Sequence, residues 1–473
     1  MPMRRTFLAV VVLLALCGAL LLFSWYGDYA GVNGQDAHDH WRLARAWMEW
    51  WVGGVRPEAA EHPHGYPFLG ALVGLSGVGG LWGLRLVSLF AFAALMLALR
   101  AILLRLHGAG AMRPIDRYLL LAAATCPFLL RYAATVMSDV TAMALLMGSF
   151  LALLRWLDQG RWPDVLWCML LGMWSLWVRM AVAPMLLVMG AALVLDVPTG
   201  RALRLAVSGM LAFAAGLLLL RPAYADVVGT RLWVPLSDWS PWNIFARVHR
   251  SDDGLLAYQL PNALYVLKLF LHPGFLLLGP VLLLFVRMAD LAHRPVRWGV
   301  AALVAYIAFI ACMPFQNDRV LLLVLPFALL LLYPAFSRLE EWLRVRRVHP
   351  AAWMSLVLLL QLVFAGYALR PLMEQARVER ELAIVVDRSG ADHVLTHGMG
   401  AAFGNLCPDV SVTELWYGEL AVLETGSLIV VKPAEMDRQW RGLPPAYNWS
   451  KACAQGMDTL AEHPAGWLVA KLH

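Results

Sequence analysis

Runs of apolar residues, each about 14–24 long, with most of the arginines lying between them, limit what this chain can become more than any other feature. They fall at residues 7–25, 81–104, 118–132, 140–156, 165–177, 181–195, 205–220, 273–286, 298–313, 320–336 and 351–369. A helix needs about 20 such residues to cross the hydrocarbon core, and local thinning of the bilayer accommodates shorter ones. Composition agrees with this: 61% of the residues are hydrophobic and 15% are charged, whereas soluble domains have about 45–50% and 25%. Residues 1–370 therefore read as an all-α polytopic membrane domain of about eleven transmembrane helices, an odd number that puts the termini on opposite sides.

Charge sets the orientation. The net charge of +6 is carried almost wholly by arginine, since Lys268, Lys432, Lys451 and Lys471 are the only lysines. Arg4 and Arg5, then Arg100, Arg105, Arg113 and Arg117, then Arg155 and Arg161, Arg201 and Arg204, Arg287, Arg294 and Arg297, and Arg338, Arg344, Arg346 and Arg347 all flank runs on one side. Cytoplasmic loops carry such an excess of basic residues, so the loop after the first run and the C-terminus face outward. The basic balance thus reports topology, and no nucleic-acid partner is expected. Segment 66–78 is apolar but only about a dozen residues long, too short to span, and is expected along the outer surface. The Ala-, Leu- and Arg-rich usage suggests a bacterial chain, which places it in the inner membrane.

The outward side carries the groups that can do chemistry. Gly34-Gln35-Asp36-Ala37-His38-Asp39-His40-Trp41 is acidic and histidine-bearing, and Glu61-His62-Pro63-His64-Gly65-Tyr66-Pro67 follows it. Dense polarity beside a membrane is costly unless it faces water and serves a purpose, so loop 26–66 reads as an active-site loop. If the stretch is helical, Asp36 and Asp39 share a face and can act as base and as metal or substrate ligand. His38 and His40 flank them. Asp36, Asp39 and His38 are candidate ligands for a divalent cation, on proximity alone. Arg131, Arg179 and Arg319 stand at outward ends of runs, where a planar, permanently charged fork matches phosphate oxygens. Each also has a structural reading: Ser138 or Asp139 can cap a helix, and a terminal arginine can be an interfacial anchor. The 221–262 loop sets Trp233, Trp239 and Trp242 among Asp226, Asp238, Asp252 and Asp253. Its tryptophans read as interfacial anchors, with sugar stacking or lipid gating as the alternative.

Four stretches, taken in order, resemble a known group. Asp36 stands four residues before His40 and eight before Ala44, and the turn Pro63-His64-Gly65-Tyr66-Pro67 follows. Next come Arg131-Tyr132-Ala133-Ala134-Thr135-Val136-Met137-Ser138-Asp139-Val140, then Leu176-Trp177-Val178-Arg179-Met180-Ala181-Val182-Ala183-Pro184, then Asp318-Arg319-Val320-Leu321-Leu322-Leu323-Val324-Leu325-Pro326. The pattern is similar to the membrane glycosyltransferases of the GT-C superfamily, which holds the protein O-mannosyltransferases and the lipid A aminoarabinose transferase. The resemblance implies Asp36 as catalytic base, with Asp139 and Asp39 as further catalytic carboxylates. It implies Arg179, Arg319, Arg131, His40, His64 and Tyr66 as substrate contacts, a sugar donor carried on polyprenyl phosphate, and an envelope lipid, glycan or protein as acceptor. Two departures leave metal use and the choice of base open: Ala37 follows Asp36 where several members carry a second acid, and His40 stands where tyrosine is common.

Two other readings remain. A lipid-linked-glycan transporter or flippase would carry charges at mid-membrane depth or broken helices in two related halves, and a structural subunit of an envelope assembly would use its tail for docking.

From Glu374 onward hydropathy falls, and residues 371–473 read as a small soluble α/β domain on the periplasmic side. A helix is expected over 373–387, strands at 393–397, 427–431 and 467–472, and a loop or helix at 433–439. Nothing in this domain looks catalytic, and Asn448-Trp449-Ser450 matches a glycosylation triplet by chance. Cys17, Cys126, Cys168 and Cys312 lie in apolar runs as small core residues; Cys407 and Cys453 can pair if the domain faces an oxidising compartment.

Overall fold

The computed structural model describes residues 2–57, 62–106, 114–196, 201–220, 238–251 and 254–473. Glu61, Arg113, Asp226, Trp233, Asp252 and Asp253 lie outside them. Helix α1 (Pro2–Tyr26) leads into α2 (Gly34–Trp51), which buries Ala37, Leu43, Ala44 and Trp47. The other positions of α2 include Asp36, Asp39, Arg42, Arg45 and Glu49, a density of charge that keeps it out of lipid.

Helices α3 (Gly65–Val73) and α4 (Gly79–Leu106) are joined by a short wide turn, in which Gly77 takes φ +98°. Glycine alone adopts that conformation without strain, and it lets α3 fold back along α4. Their backbones touch: a Cβ on Gly83 would lie 2.1 Å from the Gly70 carbonyl oxygen. Segment 66–78 therefore packs beside α4.

Helices α5 (Pro114–Ala124), α6 (Pro127–Ala133), α7 (Asp139–Gln159), α8 (Trp162–Val178), α9 (Ala183–Leu195) and α10 (Ala202–Leu220) continue the bundle. A hairpin, β1 (Val248–Ser251) and β2 (Gly254–Ala257), stands in the 221–262 loop. Then come three short helices, α11 (Asn262–Tyr265), α12 (Lys268–Leu271) and α13 (Gly279–Leu283), followed by α14 (Arg294–Ala311), α15 (Asp318–Leu322), α16 (Leu325–Val345) and α17 (Pro350–Arg388). Among the described residues, 4 helical stretches are long and apolar enough to cross a membrane: Gly65–Leu106, Asp139–Gln159, Arg294–Ala311 and Pro350–Arg388. The shorter apolar helices Leu13–Tyr26, Met180–Leu195, Ala202–Gly216 and Asn262–Leu271 stand beside them.

Three of the expected runs are not single helices. Run 118–132 breaks at Cys126, because Pro127 has no amide to continue the ladder. Run 320–336 breaks at Leu323-Val324, two residues before Pro326. Run 273–286 keeps only Gly279–Leu283 as helix, bounded by Pro273-Gly274 and Gly279-Pro280. Hydropathy registers none of these interruptions. One end of the bundle gathers the basic segments. Arg105 and Arg294 meet Asp158 at 3.8 and 3.5 Å, and Arg294 and Arg297 meet Asp196 at 3.4 and 3.1 Å. Asp158 is in the last turn of α7, about 30 Å along the helix from Asp139.

Helix α17 runs unbroken for 39 residues from the apolar bundle into the C-terminal domain, so residue 370 lies inside a helix. The domain continues with β3 (His393–Thr396), α18 (Gly400–Leu406), β4 (Ser411–Glu414), β5 (Leu428–Val431), α19 (Pro433–Arg438), α20 (Pro444–Gln455), β6 (Met457–His463) and β7 (Trp467–Leu472). The sheet order is β4-β3-β5-β7-β6; the first three strands are parallel and the last two antiparallel. Alternate residues bury opposite faces: Val394, Leu428 and Val430 pack on Leu382, Val386 and Phe403, whereas Leu395, Ile429 and Val431 pack on Met436, Trp449 and Ala452. Helices thus cover both faces. Cys407 is buried on the first face and Cys453 is exposed on α20, across the sheet, so both are free thiols rather than a pair. Asn448 is buried, its amide donating to the Leu415 carbonyl at 3.1 Å, so the triplet is not presented.

Candidate active site

Four segments distant in sequence meet where α2 begins. Asp36 lies in the first turn of α2, Asp139 opens α7, Arg179 follows α8, and Arg319 is the second residue of α15. The Asn317 side chain caps α15, accepting from the Arg319 amide at 3.0 Å. The Arg319 Nε donates to Asp139 Oδ2 at 2.6 Å and its Nη1 donates to Asp36 Oδ2. Arg179 Nε lies 3.1 Å from Asp139 Oδ1, and its Nη1 reaches Ser138 Oγ at 3.4 Å. On the other side, His62 Nε2 is 3.3 Å from Asp36 Oδ1. The result is a chain of alternating charge: His62, Asp36, Arg319, Asp139, Arg179.

Burial separates the two aspartates. The Asp139 side chain is 0% exposed, whereas that of Asp36 is 34% exposed. Asp139 can only hold its arginines, and Asp36 can meet a reactant. Burial opposes ionisation of Asp36, but Arg319 and His62 outweigh it and hold the carboxyl well below the usual carboxylate range. Burial also disfavours a charged His62, yet its hydrogen bond to Asp36 and the Asp36 charge raise its pKa. His40 goes the other way: burial first, then the charge of His62, push it well below the ordinary imidazole value.

The stabilisation from the His62–Asp36 pair is fully present below the unfolded imidazole value of about 6.5 and is lost as pH rises through the raised folded value. Both side chains are partly exposed, so the effect is screened. The melting temperature in detergent is expected to drop by about 1–2 °C more between pH 6 and pH 8.5 in the native chain than in His62→Gln. An identical pH response of the two proteins would remove the pair from the site.

The other expected site residues are placed as follows. His40 lies one turn after Asp36, both ring nitrogens buried without a hydrogen-bond partner, its ring edge-on to Tyr66 at 5.1 Å and 5.2 Å from the His62 ring. The Tyr66 hydroxyl is held by Ser88 Oγ at 2.8 Å and the Leu84 carbonyl at 3.1 Å, away from the charged chain. His64 is buried and accepts from Trp47 Nε1 at 3.1 Å. Arg131 lies over the Tyr132 ring at 5.4 Å. The three candidate metal ligands have different partners: Asp36 faces Arg319 and His62, Asp39 is held by Arg42 at 3.3 Å, and His38 Nε2 meets Glu379 Oε2 at 3.1 Å. Among the described residues no group of three or more His, Cys, Asp or Glu side chains is arranged to hold a metal.

Some participants were not legible as site residues. His62 sits in a proline-flanked loop with no periodicity to mark it; its only signal is its place beside the Gly-Tyr-Pro turn. Glu379 and Glu414 belong to the C-terminal domain, where carboxylates on a helix or strand end read as solvated.

No family model matches the sequence, and no curated protein matches it. Solved structures do. ArnT from Cupriavidus metallidurans bound to undecaprenyl phosphate superposes with a TM-score of 0.60 at 13% identity, covering 99% of this chain and 98% of that one. The same protein in the apo state superposes with a TM-score of 0.58 at 15% identity, with the same coverage. The likeness is one of fold: over 99% of its length, this chain shares the architecture of ArnT.

Proposed function

We propose that the chain is an integral-membrane glycosyltransferase that moves a sugar from a polyprenyl-phosphate donor to a hydroxyl or amine of an envelope acceptor, on the outer face of a bacterial inner membrane. The observation that carries this reading is Arg319 shared between a partly exposed Asp36 and a fully buried Asp139. The basic segments at the opposite end of the bundle support the outward orientation. The fold shared with ArnT, a protein solved with undecaprenyl phosphate, supports the carrier lipid.

In this mechanism the donor's phosphate competes with Asp36 for Arg319, whose fork matches phosphate oxygens. Asp139 stays behind and keeps Arg319 and Arg179 aimed at the site. Losing its guanidinium partner raises the basicity of Asp36 when the donor is in place. The acceptor oxygen or nitrogen then attacks the anomeric carbon, the bond from that carbon to the phosphate oxygen breaks, and the acceptor's proton passes to Asp36. The polyprenyl phosphate leaves with the electron pair, stabilised by the arginines.

The test uses proteoliposomes holding the native chain, a polyprenyl-phosphate-linked radiolabelled sugar and extracted envelope material. Label is expected in the acceptor fraction together with released polyprenyl phosphate. Intact labelled donor moved across the bilayer, with no bond cleaved, would overturn the reading in favour of a transporter.

A further inference from the structure

The first turn of α2, which carries Asp36, is held almost entirely from the C-terminal domain. Asn33 precedes the helix but does not cap it, since its Oδ1 accepts from the Tyr29 hydroxyl at 2.7 Å. The free helix amide is taken instead by Glu379, whose Oε1 accepts from Gly34 N at 2.7 Å. The other oxygen of Glu379 meets His38 Nε2 at 3.1 Å, and Glu379 and His38 are both buried. One carboxylate therefore grips α2 two residues before Asp36 and two residues after it.

Gln35 is held as firmly. Its Nε2 donates to Glu414 Oε1 at 2.6 Å, and its Oε1 accepts from Ala401 N at 2.9 Å. Glu414 in turn accepts from Gly398 N at 3.1 Å and Gly400 N at 2.6 Å. Asn405 completes the grip, its Nδ2 donating to the His38 carbonyl at 2.9 Å. In the sheet, β3 connects to β4 on one side while β5, on its other side, leads away through α19. The carboxyl ends of β3 and β5 thus flank the point where the winding reverses, the place where open α/β sheets take their ligands. Here the loop after β3, beside that point, holds Gln35 and with it the start of the Asp36 helix.

We propose that the C-terminal domain is a working part of the active site, in which Glu379 and Glu414 are positioning residues that hold the first turn of α2 and so aim Asp36. This rests on Asp36 being the base. Misplacement of a reacting group by an ångström costs about 100-fold in rate, so small shifts of this turn matter even when the fold survives.

The test compares Glu379→Ala and Glu414→Ala with the native full-length chain in the sugar-transfer assay. Both are expected to lower kcat by about 10–100-fold with the KM for the polyprenyl-phosphate sugar unchanged. A merely structural role would raise the KM along with the loss of kcat. Glu414→Asp keeps a carboxylate to accept from Gln35 and from the Gly398 and Gly400 amides and is expected to recover part of the kcat lost in Glu414→Ala. Native kcat in both alanine variants, or a Glu414→Asp kcat no better than that of Glu414→Ala while its melting temperature is native, would overturn the proposal. Failure of the native chain to transfer sugar would overturn the functional reading instead. Amide exchange over residues 34–40 then decides the grip by itself: faster exchange in the alanine variants supports it, and unchanged exchange overturns it.

Discussion

Asp36→Asn is expected to lower sugar transfer by about 1,000-fold or more while leaving the fold intact, because general-base catalysis is worth about 100–10,000-fold and this carboxylate also answers the arginine that receives the phosphate. Asparagine keeps the shape but is a weaker competitor for Arg319, so the loss should fall on kcat, with the donor KM unchanged or lower. Asp39→Asn is the matched control. Its carboxylate lies on the same helix but is held by Arg42 at 3.3 Å, and it should retain transfer within about 3-fold of native, since an exposed pair of this kind is worth little. Transfer above a tenth of native in Asp36→Asn would place the base elsewhere. Asp139 could not easily replace it, being 0% exposed and enclosed by two arginines.

Arg319→Ala is expected to damage both stability and chemistry. It strips Asp139 of its closest partner, and breaking a buried ion pair by removing one member costs about 3–5 kcal/mol. The yield of monodisperse protein in detergent should fall accordingly. Adding Asp139→Asn removes the unbalanced negative charge but also takes the carboxylate from Arg179, so the double variant should recover part of the stability, a non-additivity typical of contacting residues. Transfer should not return, because the phosphate contact is still missing. Native-like transfer in the double variant would mean that Arg319 serves only to neutralise Asp139.

The charged chain was legible because of where its members stand. Asp139, Arg179 and Arg319 each sit at the end of an apolar run, and Asp36 opens the charged stretch between two of them; a charge in such a place needs a reason that hydropathy does not supply. Their convergence is tertiary, but a shared side of the membrane follows from the placing of arginines between runs. Proline and glycine breaks at Pro127, at Pro273-Gly274 and ahead of Pro326 were not legible from apolar content, which is the same in a broken helix as in a straight one. In the C-terminal domain, β3, β5 and β7 stood out as apolar runs. The strands β4 (Ser411–Glu414) and β6 (Met457–His463) did not, because they are the outer strands of the sheet and carry polar residues. Glu379 looked like any carboxylate on a solvated helix face; only the fold shows α2 lying against it.

The unbroken α17 turns that last contact into a matter of phase. A helix advances about 1.5 Å and turns about 100° with each residue, so the eight steps from Pro371 to Glu379 act as a screw thread between the membrane anchor and the catalytic turn. The chain tolerates change in the side chains of that thread far better than change in their number. Lengthening or shortening it by one residue would swing Glu379 off α2 while leaving every apolar run in the membrane where it was. The C-terminal domain is thereby geared to the apolar bundle, its register on α2 set by the length of one helix.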